Sequence, residues 1–433
     1  MIEPTLPSTR RDFLKTTAAT GGVLASTLAF PTVTFGKPDN RKLKIGFIGC
    51  GGRGTGAAAQ ALKADSNVTL HAVGDVFASQ IERSLASVRK EVDHEGQFDV
   101  PKERQFVGLD AYEKVLASGV DTVILTTPPG FRPLHFKAAV DAGKHIFLEK
   151  PMATDAPGLR SVMESVKKAR EKGLCVQPGF TWRYSTARRE FYKRIHAGEI
   201  GDLRAIYATY LTGPVKPMPA PEQRPAGMSD LEWQVRNWYN FVWTCGDGLV
   251  EQAVHSVDKI MWAVQDAPPL KCTATGGRQI PNFEGNIFDH ISVNYEWADG
   301  TRAFMAQRQT SNCHGENTDY IMGAKGVGEI SRRGVIINGP NKWKFDGKEN
   351  DMYQTEHDEM FASIRFGKPV NEGERMCSST LAAIMGRMAA YTGTEVTWEM
   401  ALNSKDDLFP KNIAWDMKLP IAPLALPGRT KFI

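Results

Sequence analysis

Apolar positions fall into two regimes along the chain. In the first, short continuous runs at 42–48, 68–73, 120–125 and 145–148 alternate with stretches of helical character at 55–63, 111–117 and 135–142, the last closed by Gly143. Continuous runs this short, rich in Val and Ile, predict buried strands. Their alternation with helices predicts a parallel sheet covered on both faces. From about Gly173 the pattern changes. Residues 287–296 and 301–309 alternate apolar with polar positions and join at Ala298-Asp299-Gly300, which predicts a hairpin. Residues 320–330 predict a strand pair turning at Gly326-Val327-Gly328. Strands that follow one another directly argue for a mostly antiparallel sheet. Residues 357–365 and 378–392 look helical. The stretch 212–243 is irregular and Pro-rich. Its Trp233, Trp238 and Trp243, with Arg224 and Arg236, suit either a sugar-stacking surface or core and interface packing.

The first run ends in Gly49-Cys50-Gly51-Gly52-Arg53-Gly54, a GxGxxG loop between a strand and a helix. The three glycines serve a tight turn, close backbone approach to a pyrophosphate, and helix-on-strand packing. The second run ends at Asp75, 21 residues after Gly54, where an acid binds the adenosine ribose hydroxyls. A carboxylate there repels a 2′-phosphate and favours NAD over NADP. Gly49, Asp75, Thr126 and Glu149 all fall at the carboxyl ends of strands, where such sheets bind ligands. The candidate cofactor-binding set is Gly49, Gly51, Gly52, Arg53, Gly54, Asp75, Thr126, Thr127, Pro128, His135, Glu149 and Lys150. The expected fold is α/β: a Rossmann NAD-binding domain over 37–165, an α+β domain with a mostly antiparallel sheet over 166–395, and a C-terminal arm over 396–433.

Residues 1–36 read as an address. Twin arginines in Arg10-Arg11-Asp12-Phe13-Leu14-Lys15 precede a soft apolar run over 16–30, the pattern of a Tat export signal. The run is shorter than the roughly 20 residues that span a bilayer, so no membrane anchor is expected in the mature form. The expected location is periplasmic or otherwise exported. An enzyme sent where free nicotinamide is scarce is expected to hold NAD(H) tightly and regenerate it within each cycle. The 433 residues allow two or three domains. With 53 basic against 49 acidic side chains and no basic cluster, no nucleic-acid partner is expected. Six scattered cysteines form no CxxC pair, which leaves zinc-ribbon and thioredoxin-type motifs without support.

Glu149-Lys150-Pro151, the turn Gly198-Glu199-Ile200-Gly201-Asp202 and the segment Gly179-Phe180-Thr181-Trp182-Arg183-Tyr184 together resemble the Gfo/Idh/MocA oxidoreductases, over roughly residues 42–391. The resemblance implies that Lys150 sits beside the nicotinamide and hydrogen-bonds the reacting hydroxyl. It also implies a sugar or cyclitol substrate and a homodimer or homotetramer built on the open sheet face. Gly246-Asp247-Gly248 leads into Leu249-Val250-Glu251-Gln252-Ala253-Val254-His255-Ser256-Val257-Asp258. On a continuous helix, Glu251, His255 and Asp258 share one face, at 0°, about 40° and about −20°. The family carries an Asp and a His four residues apart here; this chain has Glu251 in place of that Asp and Ala253 where Gly is usual.

The expected catalytic residues are Lys150, His255 and Glu251. His255 takes the hydroxyl proton, Lys150 polarises the oxygen, and Glu251 orients His255 or binds a neighbouring hydroxyl. The expected substrate contacts are Lys150, Arg183, Tyr184, Glu251, His255 and Asp258. A packed histidine held by Glu251, or a metal held by Glu251, His255 and Asp258, are duller readings of the same helix; no metal is expected. The leading function is an NAD-dependent oxidoreductase acting on a CH–OH group. The alternative is redox-neutral glycoside cleavage by transient oxidation and elimination at the same site. A non-catalytic dinucleotide- or carbohydrate-binding protein is a third reading, against which Lys150 and His255 argue together.

Overall fold

The computed structural model describes residues 39–92 and 95–433; the export address expected over 1–36 lies outside them. Six strands form the first sheet: β1 (Leu43–Ile48), β2 (Val68–Asp75), β3 (Gln105–Val107), β4 (Thr122–Leu125), β5 (His145–Leu148) and β6 (Val176–Pro178). Their order is β3-β2-β1-β4-β5-β6, all parallel. This is the doubly wound order, with its crevice between β1 and β4 where the winding reverses. β1, β2, β4 and β5 are buried on both faces, as their continuous apolar runs require: Ile45, Phe47, Leu70, Val73, Val123, Ile146 and Phe147 are all fully enclosed. β6 pairs parallel with β5 through Ile146↔Val176. The first sheet therefore extends past Gly173, where the apolar pattern changes.

Nine strands form the second sheet: β7 (Leu203–Thr212), β8 (Lys271–Gly277), β9 (His290–Glu296), β10 (Arg302–Gln309), β11 (Asp319–Gly323), β12 (Val327–Ser331), β13 (Gly334–Asn338), β14 (Trp343–Lys344) and β15 (Val396–Thr397). Both expected strand pairs, β9–β10 and β11–β12, are antiparallel. Within this sheet only β7 and β10 run parallel; the other neighbours are antiparallel. One face carries the helices Thr186–His196, Val254–Ala263 and Gly373–Thr392, and Ile206, Ala208, Ile291, Val293, Ala303 and Met305 point into that core. The opposite face leaves Tyr207 and Phe304 exposed.

Two late segments tie back to the first sheet. The helix Met352–Arg365 inserts Met360, Phe361 and Ile364 into the core that contains Phe47, Phe147 and Cys175. Residues 404–433 contain no regular element. They lay Phe409, Trp415 and Leu419 against Phe131, Trp233 and Phe241. All six cysteines are free thiols, five of them buried. Among the described residues no helix is long and apolar enough to cross a membrane.

Burial keeps two histidines neutral. His357 is fully enclosed and stacks on Phe147 at 4.2 Å; both of its ring nitrogens lack a partner among the described residues. Burial first, and Arg53 second, hold its pKa well below the usual 6.5. His135 is held at about 3 by burial and then by Arg132. The unfolded chain takes up these protons as pH falls through about 6.5 and the folded chain does not. Stability is therefore lost as pH drops from about 6.5 towards the folded pKa values, by about 1.4 kcal/mol per pH unit for each such histidine. Thermal melts should show a falling Tm between pH 7 and pH 5. In a His357→Phe variant the fall should be shallower; an unchanged slope would contradict a neutral buried His357.

Candidate dinucleotide and carbinol site

The glycine loop has the shape its spacing requires. Gly49 has φ of +97°, and a Cβ there would stand 2.7 Å from the Thr126 carbonyl carbon. A Cβ on Gly54 would stand 2.0 Å from the Gly49 oxygen, so β1 and the following helix pack only with glycine at that point. Gly51 and Gly52 face open space. The helix Gly52–Ala64 has no side-chain cap at Gly51, which leaves its first N–H groups for a phosphate. Asp75 fixes the loop: its carboxylate accepts from the amides of Cys50 (2.6 Å) and Phe77 (2.9 Å). Burial raises the Asp75 pKa against the pull of these amides.

A cavity of about 860 Å³ runs from this loop past Asp75, Thr126, Thr127, Pro128 and His135 to Trp238 and Tyr239. Its uncapped helix end, glycine floor and terminal carboxylate suit a dinucleotide. Thr126 Oγ1 donates to the Gly49 carbonyl at 2.7 Å, tying the ends of β1 and β4 together. Thr127 Oγ1 and His135 Nδ1 are 3.2 Å apart, and His135 stacks on Tyr112 at 4.4 Å.

The residues after β5 reach both sheets. Glu149 accepts from Arg53 Nε, and Arg53 Nη2 donates to Glu356 Oε1 at 3.2 Å. Tyr353 lies 4.9 Å beneath the same guanidinium. Lys150 Nζ donates to Glu251 Oε1 at 2.9 Å and to the Glu251 main-chain oxygen. The other Glu251 oxygen accepts from Gln252 Nε2, and Gln252 Oε1 accepts from Tyr210 at 3.1 Å. Tyr239 lines the cavity, and the charges of Glu251 and Glu149 add to burial in raising its phenol pKa.

The expected continuous helix through Glu251 and Asp258 is broken. It runs as Gly248–Glu251 and Val254–Ala263, with Gln252 and Ala253 between. The approach bends at Gly246 (φ +82°) and Asp247 (φ +88°). Positive φ is strained for Asp247, and its buried carboxylate holds the bend by accepting from Leu249 N, Phe288 N and the Tyr391 hydroxyl. Glu251 therefore points to Lys150 and not to His255.

His255 packs against Trp182 at 5.2 Å and Phe180 at 6.2 Å, with Nδ1 buried and lacking a protein partner. Burial, followed by Lys150, Lys259 and Arg53, holds its pKa well below 6.5, so the ring is neutral at physiological pH.

Arg183, Tyr184 and Asp258 sit elsewhere than expected. Asp258 receives Arg183 Nε at 2.9 Å, Arg183 Nη2 at 2.9 Å and Ser379 Oγ at 2.7 Å. Arg183 also binds Asp266, and the buried Tyr184 hydroxyl accepts from Gln177. An enclosed carboxylate must be paired, and this one is paired internally, beneath the helix Val254–Ala263. Among the described residues no three His, Cys, Asp or Glu side chains converge on a metal position.

Sequence reading missed Gln252, Tyr210, Tyr239, Tyr353 and Glu356. No sequence signal marked them, since the burial of Glu356 and its place beside Arg53 arise only in the fold.

Comparison with known proteins places this geometry. Residues 43–180 match the Gfo/Idh/MocA oxidoreductase family, with its NAD-binding Rossmann fold. Over those residues, under a third of the chain, the similarity is to the NAD-binding domain of that family. An inositol 2-dehydrogenase of Saccharopolyspora erythraea is 30% identical over 162 residues, which are 37% of this chain and 43% of that enzyme. The match thus spans less than half of that relative. Two solved structures share the fold. The WlbA dehydrogenase of Bordetella pertussis, in complex with NADH and UDP-GlcNAcA, has a TM-score of 0.63 at 20% identity, over 82% of this chain and 99% of that one. The aldose-aldose oxidoreductase of Caulobacter crescentus, complexed with glycerol, has a TM-score of 0.64 at 18% identity, over 82% of this chain and 100% of that one.

Arg53 joins two carboxylates from different parts of the chain. Its side chain is 32% exposed, Glu149 is 10% and Glu356 is 0%. Removing the cation leaves two enclosed acids facing each other. Arg53→Ala should cost about 2–3 kcal/mol in denaturant unfolding, at the low end for a broken buried pair because the arginine keeps some water. Glu356→Gln, which removes one of the repelling charges, should cost less. Equal losses would show that the cluster's charge is not what holds the loop.

Proposed function

We propose that this chain is an NAD-dependent oxidoreductase acting on a CH–OH group of a sugar or cyclitol, and that it retains its cofactor through the catalytic cycle. The carrying observation is the Lys150–Glu251 pair at the carboxyl end of β5, whose lysine acts on a neutral His255 and whose carboxylate acts on Tyr239, a lining residue of the dinucleotide cavity. Nicotinamide bound in that cavity supplies the hydride acceptor. Two of the three N–H groups of Lys150 go to Glu251, leaving one for the substrate oxygen. That N–H steadies the negative charge that grows as the hydroxyl proton leaves. His255, uncharged and flanked by cations, accepts the proton. A nicotinamide bound in the cavity would take the carbinol hydride as the carbinol becomes a carbonyl, while the hydroxyl proton stays on the His255 imidazole. The inositol dehydrogenase similarity supports a polyol substrate.

Retention is supported by the C-terminal segment. Phe409 packs edge-on to Phe131 at 5.4 Å and Trp415 lies 6.2 Å from Phe77; Phe131 and Phe77 both line the cavity. The twin-arginine segment at residues 10–11 supports export by the Tat route, where a retained cofactor is an advantage. Retention also serves the redox-neutral alternative, in which the hydride returns to the product after elimination of a glycosidic group. The exposed sheet face with Tyr207 and Phe304 supports a homo-oligomer.

Protein purified folded without added cofactor, then denatured, should release stoichiometric NAD(H). An empty protein would sink retention. Lys150→Ala should keep the cofactor and lose about 10²–10³-fold in kcat, and His255→Asn should lose about 10²–10⁴-fold. In the wild type the acid limb of kcat/KM should lie below pH 6.5, because the folded His255 resists protonation. Unchanged turnover in both variants would remove the catalytic assignment.

A further inference from the structure

Next to the large cavity lies a smaller one, about 80 Å³, to which the proposed hydride and proton steps give no role. Lys216 and Tyr239 line both cavities, so the two meet at these residues. The charge of Glu251 reaches the phenol of Tyr239. Gln309 lines it from β10, and its amide packs against Gly248 at the start of the Glu251 helix.

The small cavity holds an unusual arginine. Arg278 follows β8 directly, and its Nε and Nη2 atoms are buried with no protein acceptor among the described residues. The two nearby carboxylates are already engaged. Asp247 accepts from Leu249 N, Phe288 N and the Tyr391 hydroxyl. Asp289 accepts from Gln279 N at 2.8 Å, Ile280 N at 2.7 Å and His290 Nδ1 at 2.6 Å. Both acids attract Arg278 through space without hydrogen-bonding it. Other enclosed arginines of this chain are bonded: Arg183 to Asp258 and Asp266, Arg387 to the carbonyl oxygens of Thr154 and Gly246. Lys216, which also lines the small cavity, gives one N–H to the Arg236 carbonyl at 2.7 Å and has two more, with no other acceptor among the described residues.

A planar guanidinium with unused donors, lining one cavity with an ammonium that also has unused donors, is the recognition chemistry of a carboxylate or phosphate. We propose that Arg278 and Lys216 form an anion subsite, and that the substrate carries a carboxylate or phosphate on the part of the molecule remote from the reacting carbinol. This rests on the oxidoreductase reading above and narrows its substrate class to acidic or phosphorylated polyols. A volume near 80 Å³ is that of about two or three waters, enough for one such group and too little for a further sugar ring. Lys216 lies at the junction, so the rest of the substrate extends from the anion past Tyr239 towards Lys150.

The test is calorimetric binding of D-glucuronate, D-glucose 6-phosphate and D-glucose to the cofactor-loaded protein. The wild type should bind one or both anions at least about 10-fold more tightly than glucose, a preference that shrinks with added salt. The two anions separate carboxylate from phosphate recognition. Arg278→Ala should erase about 10- to 100-fold of that preference while leaving glucose within about twofold. Arg278→Lys, which keeps the charge and loses the fork, should recover part of it. No charge preference in the wild type, or an Arg278→Ala variant that weakens all three ligands alike, overturns the subsite. Binding is read without turnover, so a dead oxidoreductase reading with intact anion preference is a separate and recognisable result.

Discussion

The buried pair of Lys150 and Glu251 is the constraint on which the site depends. It joins the carboxyl end of β5 in the first sheet to a short helix supported by the second. Both side chains are at least nine-tenths enclosed, so each has given up most of its water. Such a pair recovers its desolvation cost only with good geometry and further hydrogen bonds. Here the extra bonds are the Glu251 main-chain oxygen to Lys150 and Gln252 to the second carboxylate oxygen. The arrangement specifies position more than it adds stability. The strained Asp247, the glycines on either side of it and the interruption at Gln252 are the local conditions that let Glu251 face Lys150.

The glycine loop is held by the same logic one residue earlier in the chain. Glu149 precedes Lys150 and receives Arg53 from the loop, while Glu356 receives Arg53 from a helix far later in the sequence. Two adjacent residues after one strand thus anchor the dinucleotide loop and the proton-handling site. A shift of β5 would move both. The close contacts at Gly49 and Gly54 make the loop intolerant of such a shift, because a single Cβ would already overlap neighbouring backbone.

Four strands of the first sheet, β1, β2, β4 and β5, were legible as continuous apolar runs; the three-residue β3 (Gln105-Phe106-Val107) and β6 (Val176-Gln177-Pro178) carry no such run and were not. The helix expected over 111–117 is Ala111–Ala117, and the strand expected over 145–148 is His145–Leu148. The hairpins of the second sheet were legible from alternation. Its longest strand, β7, was not: Leu203–Thr212 mixes exposed, intermediate and buried positions without a clean period, and its parallel partner β10 lies far along the chain. At the site, Lys150, Glu251 and His255 could be picked from spacing, but their pairing could not. Helical phase placed Asp258 with Glu251, whereas the break after Glu251 turns Asp258 towards Arg183. Two positive-φ residues in succession, the second not a glycine, leave little trace in composition. Glu356 and Arg278 were out of reach because their significance lies in what surrounds them in space.

The electrostatics give the proposed site a direction. Lys150, Lys259 and Arg53 all depress the pKa of His255, and no carboxylate hydrogen-bonds the ring among the described residues. A histidine paired with an acid can serve as proton donor near neutral pH; one surrounded by cations is a proton acceptor there. Lys259 adds to this although Asp319 binds it and burial lowers the lysine itself to about 8. In the proposed reaction the ring is therefore already in its proton-accepting form at neutral pH, and the reverse reduction needs an imidazolium that its surroundings disfavour. The equilibrium of the reaction is untouched by this. What changes is the pH at which each direction is fast: oxidation on a broad plateau, reduction rising towards acid. Glu251 cannot relieve the asymmetry, because both of its carboxylate oxygens are already taken by Lys150 and Gln252.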